Sequence, residues 1–312
     1  MATLEPNAIS SVPPGEIAAA RVAGPKGWKR RLEDPFNTYY RYPLALAMTR
    51  WLVHTPVTPN QVSLVQPVFA AASGYLLTFE DVRAHIAAVV LFELRSILDC
   101  VDGSLARAKR MSSPNGHAID AMADWLGVVF LYCGIFHYVY NHVPAGYTTT
   151  TAMAVVTMAL AQGAIRSFAS DYFKSKYMGI YERATDDVPQ LLRDKVLGLS
   201  KSSSLFAHID VFIMRTGHFF FEFERFCPAR SKALSSQAIE HMVREQSTTR
   251  ARINGFLWSI SSGDAFLSFV ILSILVGKLW AGQLFFATVG VVWIAAVVLY
   301  NVAFLRGYRC RD

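Results

Sequence analysis

The chain has 312 residues, 53% of them hydrophobic and only 17% charged, with a mean hydropathy of +0.30, which is too apolar for an ordinary soluble domain and excludes disorder and collagen-like repeats. Its net charge of +7 would suggest nucleic acid in a soluble protein. Here the cations flank apolar runs, at Lys26–Arg31, Arg107–Arg110, Lys174–Arg183 and Arg306–Arg311, as cytoplasmic loops facing anionic lipid do, so no nucleic-acid partner is expected.

Taken in chain order, residues 1–33 read as a flexible cytoplasmic tail. Pro13, Pro14, Gly15 and Pro25 break any helix there, and no apolar core of a cleavable signal peptide precedes the first span. Over 34–57, Phe36, Tyr39, Tyr40, Leu44, Ala47, Met48, Trp51 and Leu52 recur at roughly helical spacing, with Arg41 and Arg50 available to lipid headgroups. This describes an interfacial amphipathic helix, with a helix packed inside the protein as the alternative.

Residues 58–312 then read as a catalytic domain of six transmembrane helices, near 61–78, 84–102, 117–141, 149–173, 253–277 and 280–304, each about long enough to cross hydrocarbon. The fold class is an all-α integral membrane protein. With the tail in the cytoplasm, the three outer connections carry only Arg83 and Lys278 as basic residues, so both ends lie inside. The stretch 177–250 is one long cytoplasmic connection. Its aromatic run 205–226, interrupted by His208, Asp210, Arg215, His218, Glu222 and Glu224, reads as a second interfacial helix rather than a seventh span. No internal repeat supports an inverted-repeat transporter. Cys100, Cys133, Cys227 and Cys310 have no paired spacing and read as reduced and structural.

Charge inside a span needs a reason, and the second and third spans supply four aspartates. Asp99 and Asp102 are three apart, Asp120 and Asp124 four apart, so each pair shares a helical face and two adjacent helices can aim four carboxylates at one spot. Such a cluster repels itself in low dielectric unless cations neutralise it or it takes up protons. Oxygen-only ligands point to a hard divalent ion, Mg²⁺ or Mn²⁺ with Ca²⁺ as the alternative occupant, and two ions suit four aspartates better than one. His117 reads as an interfacial or capping histidine rather than a ligand. Between the pairs, small Gly103 and Ala106 let a ligand approach the backbone and Arg107 can oppose a phosphate, which together describes a diphosphate site.

The pattern DxxDGxxAR, followed after eight residues by GxxxDxxxD, runs through Asp99, Asp102, Gly103, Ala106, Arg107, Gly116, Asp120 and Asp124, and resembles the full signature of the CDP-alcohol phosphotransferase family. Thr58 to Ser63 resembles the segment opening that family's first span. The resemblance implies displacement of CMP from a CDP-linked donor by an alcohol, in phospholipid synthesis. It implies that Asp99, Asp102 and Asp120 hold one metal and Asp99, Asp120 and Asp124 the other, with Asp124 as general base. It further implies that Asn60, Ser63, Gly103, Ala106, Arg107, Ser113 and Gly116 meet the CDP donor, although Asn60 also suits a helix N-cap. A homodimer in a bacterial cytoplasmic membrane, active on the cytoplasmic side, is implied as well.

The segment from Arg166 to Arg183 is similar to the basic segment of the branch making phosphatidylinositol phosphate and phosphatidylglycerol phosphate. On that likeness Lys174, Lys176 and Arg183 bind a phosphorylated acceptor, while positive-inside topology alone is the plainer account. Three readings therefore stand. The first is a CDP-diacylglycerol donor with a polar, optionally phosphorylated alcohol as acceptor. The second is a soluble CDP-choline or CDP-ethanolamine type of donor with diacylglycerol as acceptor. The third is a non-enzymatic cation-binding transporter or scaffold.

Overall fold

The computed structural model describes residues 27–111, 114–186 and 234–309 and the single residues 197, 208 and 211. Residues 1–26, Ser113, nearly all of the 205–226 run, Cys227 and Cys310 lie outside the described residues. Among the described residues the fold is all-helical: α1 (Gly27–Leu32), a π-turn (Asn37–Arg41), α2 (Tyr42–Leu52), α3 (Pro59–Leu76), α4 (Val82–Lys109), α5 (Pro114–Asn141), α6 (Thr149–Met178), α7 (Ser236–Arg244), α8 (Thr249–Ile260), α9 (Gly263–Leu275), α10 (Leu279–Phe285) and α11 (Val291–Arg309).

Local chemistry starts and stops these helices where the sequence allows. Thr58 caps α3 through a reciprocal box with Gln61, its Oγ1 accepting from the Gln61 amide at 3.3 Å while Gln61 Oε1 accepts from the Thr58 amide at 2.8 Å. The capping role that Asn60 was suited to therefore belongs to Thr58. Asp81 and Thr148 cap α4 and α6, and α4 ends at Arg110 in the left-handed region, φ 55°. Lys109 then donates to the carbonyls of Thr55 and Val57, both at 2.7 Å, tying the C-terminal end of α4 to the entry of α3.

Helices α3, α4 and α5 pack as an inner group because two glycines let backbones touch. A Cβ on Gly74 would stand 2.1 Å from the Phe130 carbonyl oxygen, and one on Gly134 2.2 Å from the Gly74 carbonyl oxygen. Ser73 Oγ donates to the Ala88 carbonyl at 2.7 Å across α3 and α4. Around this group, Phe92, Leu131, Tyr132, Ile135, Val156, Phe266 and Val270 form a continuous buried core.

Among the described residues, three helical stretches are by length and composition apolar enough to cross a membrane, Ile119–Asn141, Thr149–Arg183 and Leu279–Tyr308, and a fourth if α8 and α9, bent by 53°, count as one. Length and composition thus mark fewer stretches than the six spans expected, and for α3 and α4 the reason is physical. Helix α3 carries Gln61, Ser63 and Gln66, and α4 carries Glu93, Arg95, Asp99 and Asp102, so the residues that build the site remove these helices' apolar character. The bend between α8 and α9 is held by polar contacts: Arg166 Nη2 donates to the Ile260 carbonyl at 2.8 Å and Trp293 Nε1 to Ser261 Oγ at 2.9 Å.

The N-terminal region also differs from expectation. Residues 27–32 are not tail but helix α1, with Trp28 stacked on Tyr181 at 4.0 Å and donating from Nε1 to Gln246 Oε1 at 2.9 Å. Arg41 does not face headgroups. It is buried at 2% exposure, donating to Glu93 Oε2 at 2.8 Å and Asn37 Oδ1 at 3.1 Å, whereas Arg50, Tyr39 and Trp51 are exposed.

Candidate active site

The face of α4 that turns toward α3 and α5 carries Arg95, Asp99 and Asp102, spaced i, i+4, i+7, and the facing side of α5 carries Asp120, Asp124 and Gly127, spaced i, i+4, i+7. Asp99, Asp102 and Asp120 each bring a carboxylate oxygen within 4.8 Å of the others. The carboxylates meet pairwise at hydrogen-bonding range, Asp102 with Asp120 and Asp99 with Asp124. Asp124 keeps 48% of its side-chain surface accessible and is held by Arg95, whose Nη2 donates to Oδ1.

Whether these residues suit a divalent ion is answered by their chemistry. The donors are all hard oxygens, and Asp120 Oδ1 is buried with no hydrogen-bond partner among the described residues, an orphan acceptor that an unneutralised site would not tolerate. Asp102, 4% exposed, is oriented from α3: its Oδ2 accepts from Ser63 Oγ and Gln66 Nε2, both at 2.6 Å. These two donors hold the Asp102 carboxylate beside the cluster, the usual work of side chains behind a metal ligand. The residues fit a hard cation.

The remaining sequence-derived positions fall as follows. Asn60 and Ser63 lie on the first turns of α3, Ser63 in direct contact with Asp102. Gly103, Ala106 and Arg107 continue α4 past Asp102 toward its C-terminal end. Arg107 is exposed and donates to Ser104 Oγ at 3.2 Å. Gly116 stands one turn before Asp120 on α5, and Ser113 is outside the described residues. Lys174, on α6, lies within electrostatic reach of Glu33, Asp34, Asp171 and Asp264. Lys176 turns elsewhere, into a buried ion pair with Asp186 at 3.1 Å, and Arg183 is exposed beyond the end of α6.

Three residues of the site were not singled out from sequence. Gln66 had a readable signal, a polar side chain three residues after Ser63 in an apolar run, and Arg95 likewise stands four residues before Asp99. Asp264 had none. It opens α9, far along the chain, yet it accepts from Asn37 Nδ2 at 2.8 Å and its charge reaches Asp34, Asp124, Asp171 and Lys174.

Comparison with known proteins bears on this geometry. The sequence pattern of the family described as CDP-alcohol phosphatidyltransferase matches residues 56–185, which covers α3 to α6 and every aspartate of the cluster. A ceramide phosphoethanolamine synthase of Drosophila melanogaster is 30% identical over 126 residues, 37% of this chain and 32% of the relative. A bifunctional IPC transferase and DIPP synthase of Rubrobacter xylanophilus is 38% identical over 99 residues, 31% of this chain and 22% of the relative. The matched region thus spans a third or less of these curated relatives. The cluster on α4 and α5, the Ser63 and Gln66 donors behind it and the matched pattern coincide in one stretch, so residues 56–185 are similar to the CDP-alcohol phosphatidyltransferase family where the site is built.

Proposed function

We propose that the chain is a membrane transferase that moves a substituted phosphoryl group from a CDP-linked donor to an alcohol and releases CMP. The observation that carries this reading is the convergence of Asp99, Asp102 and Asp120, with an orphaned Asp120 oxygen, at the spacing of the family signature. Asp99, Asp102 and Asp120 hold one divalent cation, Mg²⁺ or Mn²⁺, and Asp99, Asp120 and Asp124 a second. Such ions supply charge neutralisation on the diphosphate and on the departing CMP oxygen.

The chain's own groups do the rest. Ser63 and Gln66 fix the rotamer of Asp102. Gly103 and Ala106 leave the α4 backbone open to a diphosphate, and Asn60, Arg107, Ser113 and Gly116 border it. The alcohol oxygen forms a bond to the distal phosphorus as the bond to the CMP oxygen breaks, and Asp124 Oδ2, the oxygen not engaged by Arg95, accepts the hydroxyl proton.

Two arrangements of partners fit this chemistry. A CDP-diacylglycerol donor with a phosphorylated polar acceptor relies on Lys174, Lys176 and Arg183. Against it, Lys176 is engaged by Asp186 and Lys174 stands among four carboxylates. The name of the Drosophila relative describes a lipid alcohol that receives phosphoethanolamine, and it supports the reverse arrangement, a soluble CDP-amino alcohol as donor and a lipid alcohol as acceptor. That is the reading adopted.

The test is CMP release by purified protein in Mn²⁺, with labelled CDP-ethanolamine plus diacylglycerol or ceramide against labelled CDP-diacylglycerol plus glycerol phosphate, inositol phosphate or free inositol. Turnover of the soluble donor alone, abolished by excess chelator, is expected. Turnover only of CDP-diacylglycerol reverses the partners, and full activity in chelator removes the metal from the reading.

A further inference from the structure

Arg95 is a guanidinium in the middle of α4, 3% exposed. A cation in such a place is expensive and needs a defined partner. Its partner is Asp124, the member of the signature that lies outside the three-carboxylate set within 4.8 Å. Arg95 Nε is buried with no hydrogen-bond partner among the described residues, so the side chain is not satisfied by the scaffold around it, and Phe92 offers only its ring, 5.8 Å from the guanidinium carbon. The space it occupies is prepared by a glycine on α5. A Cβ on Gly127 would stand 2.9 Å from Arg95 Nε, 3.3 Å from Cζ and 3.4 Å from Nη2. Gly127 is three residues after Asp124 on the same face, so one turn of α5 supplies both the carboxylate and the room for its cation.

We propose that Arg95 is a positioning residue that competes for Asp124 with a metal ion, so that the chain without nucleotide holds one divalent cation tightly, on Asp99, Asp102 and Asp120, and a second only weakly. This rests on the metal-binding reading above and adds an order of loading to it. The fixed positive charge repels an ion approaching Asp124 and occupies one of its oxygens. A diphosphate ligand adds negative charge beside the cluster, which offsets that repulsion and draws in the second ion. Arg95 thereby links the second metal to the presence of donor and keeps Asp124 from collapsing onto the first.

The experiment is Mn²⁺ titration of the detergent-solubilised full chain without nucleotide, read by electron paramagnetic resonance of the free ion, on wild type, Arg95→Gln and Gly127→Ala. Wild type should show one tight ion per chain and a second at least about tenfold weaker. In Arg95→Gln the second site should tighten to within about threefold of the first, since a unit charge a few ångströms away is removed. Gly127→Ala keeps the charge but pushes the guanidinium aside, so it should move the second site in the same direction, and it carries the comparison alone if Arg95→Gln does not survive purification. A purely structural arginine would instead weaken both sites together in step with a lower melting temperature. That result, or identical pairs of affinities in all three proteins, overturns the role of Arg95 while leaving the metal site standing. Absence of any Mn²⁺ binding in wild type overturns the metal reading and this inference with it.

Discussion

Gln66 and Ser63 converge on a single oxygen of Asp102, and this pair of donors shows why ligand side chains alone do not make a metal site. Asp102 is almost wholly buried, and two hydrogen bonds at 2.6 Å to one of its oxygens fix its orientation beside Asp99 and Asp120. Replacing Gln66 with leucine keeps the volume roughly but removes one donor. Mn²⁺ dependence of CMP release should then shift to about 10- to 100-fold higher concentration, as is usual for groups behind a ligand, with saturating activity less affected. An unchanged metal dependence would show that Ser63 alone orients the carboxylate. Gln66 and Arg95 were within reach of a sequence argument, since both lie at helical spacing from signature residues. Asp264 and Asn37 were not, because their 2.8 Å contact joins opposite ends of the chain.

The geometry of the cluster depends on how closely α3 approaches α5, and that approach is decided by Gly74 and Gly134 rather than by any residue of the site. Their backbones leave no room for a side chain, with an added Cβ 2.1 to 2.2 Å from a carbonyl oxygen. Gly134→Ala should force the helices apart, lower stability by about 1–3 kcal/mol and reduce CMP release, because Ser63 and Gln66 on α3 would no longer reach Asp102 on α4 as the bundle shifts. Gly307→Ala on α11, where an added Cβ meets nothing within 4 Å, is the matched control and should leave both the melting curve and activity unchanged. The existence and order of the helices were legible in periodicity, caps and apolar runs. Hydropathy by itself does not mark α4 as a span, since the helix bears Glu93, Arg95, Asp99 and Asp102.

Across the molecule, the N-terminal region closes onto the other end of the chain. Trp28 and Arg31 reach Gln246, and Asn37 reaches Asp264, so a stretch expected to trail into solvent or lie on lipid is packed against α6, α8 and α9. One consequence is measurable. The Asp34 carboxyl, fully buried, is pushed up from its ordinary 3.8 to about 6, by burial first and then by the neighbouring Asp264. A carboxyl held above its unfolded value favours the folded state while protonated, and this contribution fades as pH rises through the folded pKa. Stability from this group should therefore fall between about pH 4 and about pH 6, by roughly 2–3 kcal/mol in all, and level off above. Asp34→Asn should flatten that part of the pH–stability curve and melt higher than wild type at neutral pH. Parallel curves for the two proteins would mean that Asp34 ionises freely in the fold.

The signature aspartates, their faces and the hard-ion chemistry they demand were present in the order of residues, because i, i+3 and i, i+4 spacing on a helix is a local property that needs no knowledge of what lies opposite. The resemblance to the CDP-alcohol phosphatidyltransferase family followed from the same local pattern, and the match over residues 56–185 agrees with it. The partners of those aspartates were a different matter. That Asp102 answers to α3, that Asp124 is held by Arg95 in a space left by Gly127, and that Lys176 turns to Asp186 and not toward the cluster all depend on where separate helices cross. Helix crossings are set by the sum of many packing contacts between distant segments, so the groups they bring together share no spacing that a linear reading can detect.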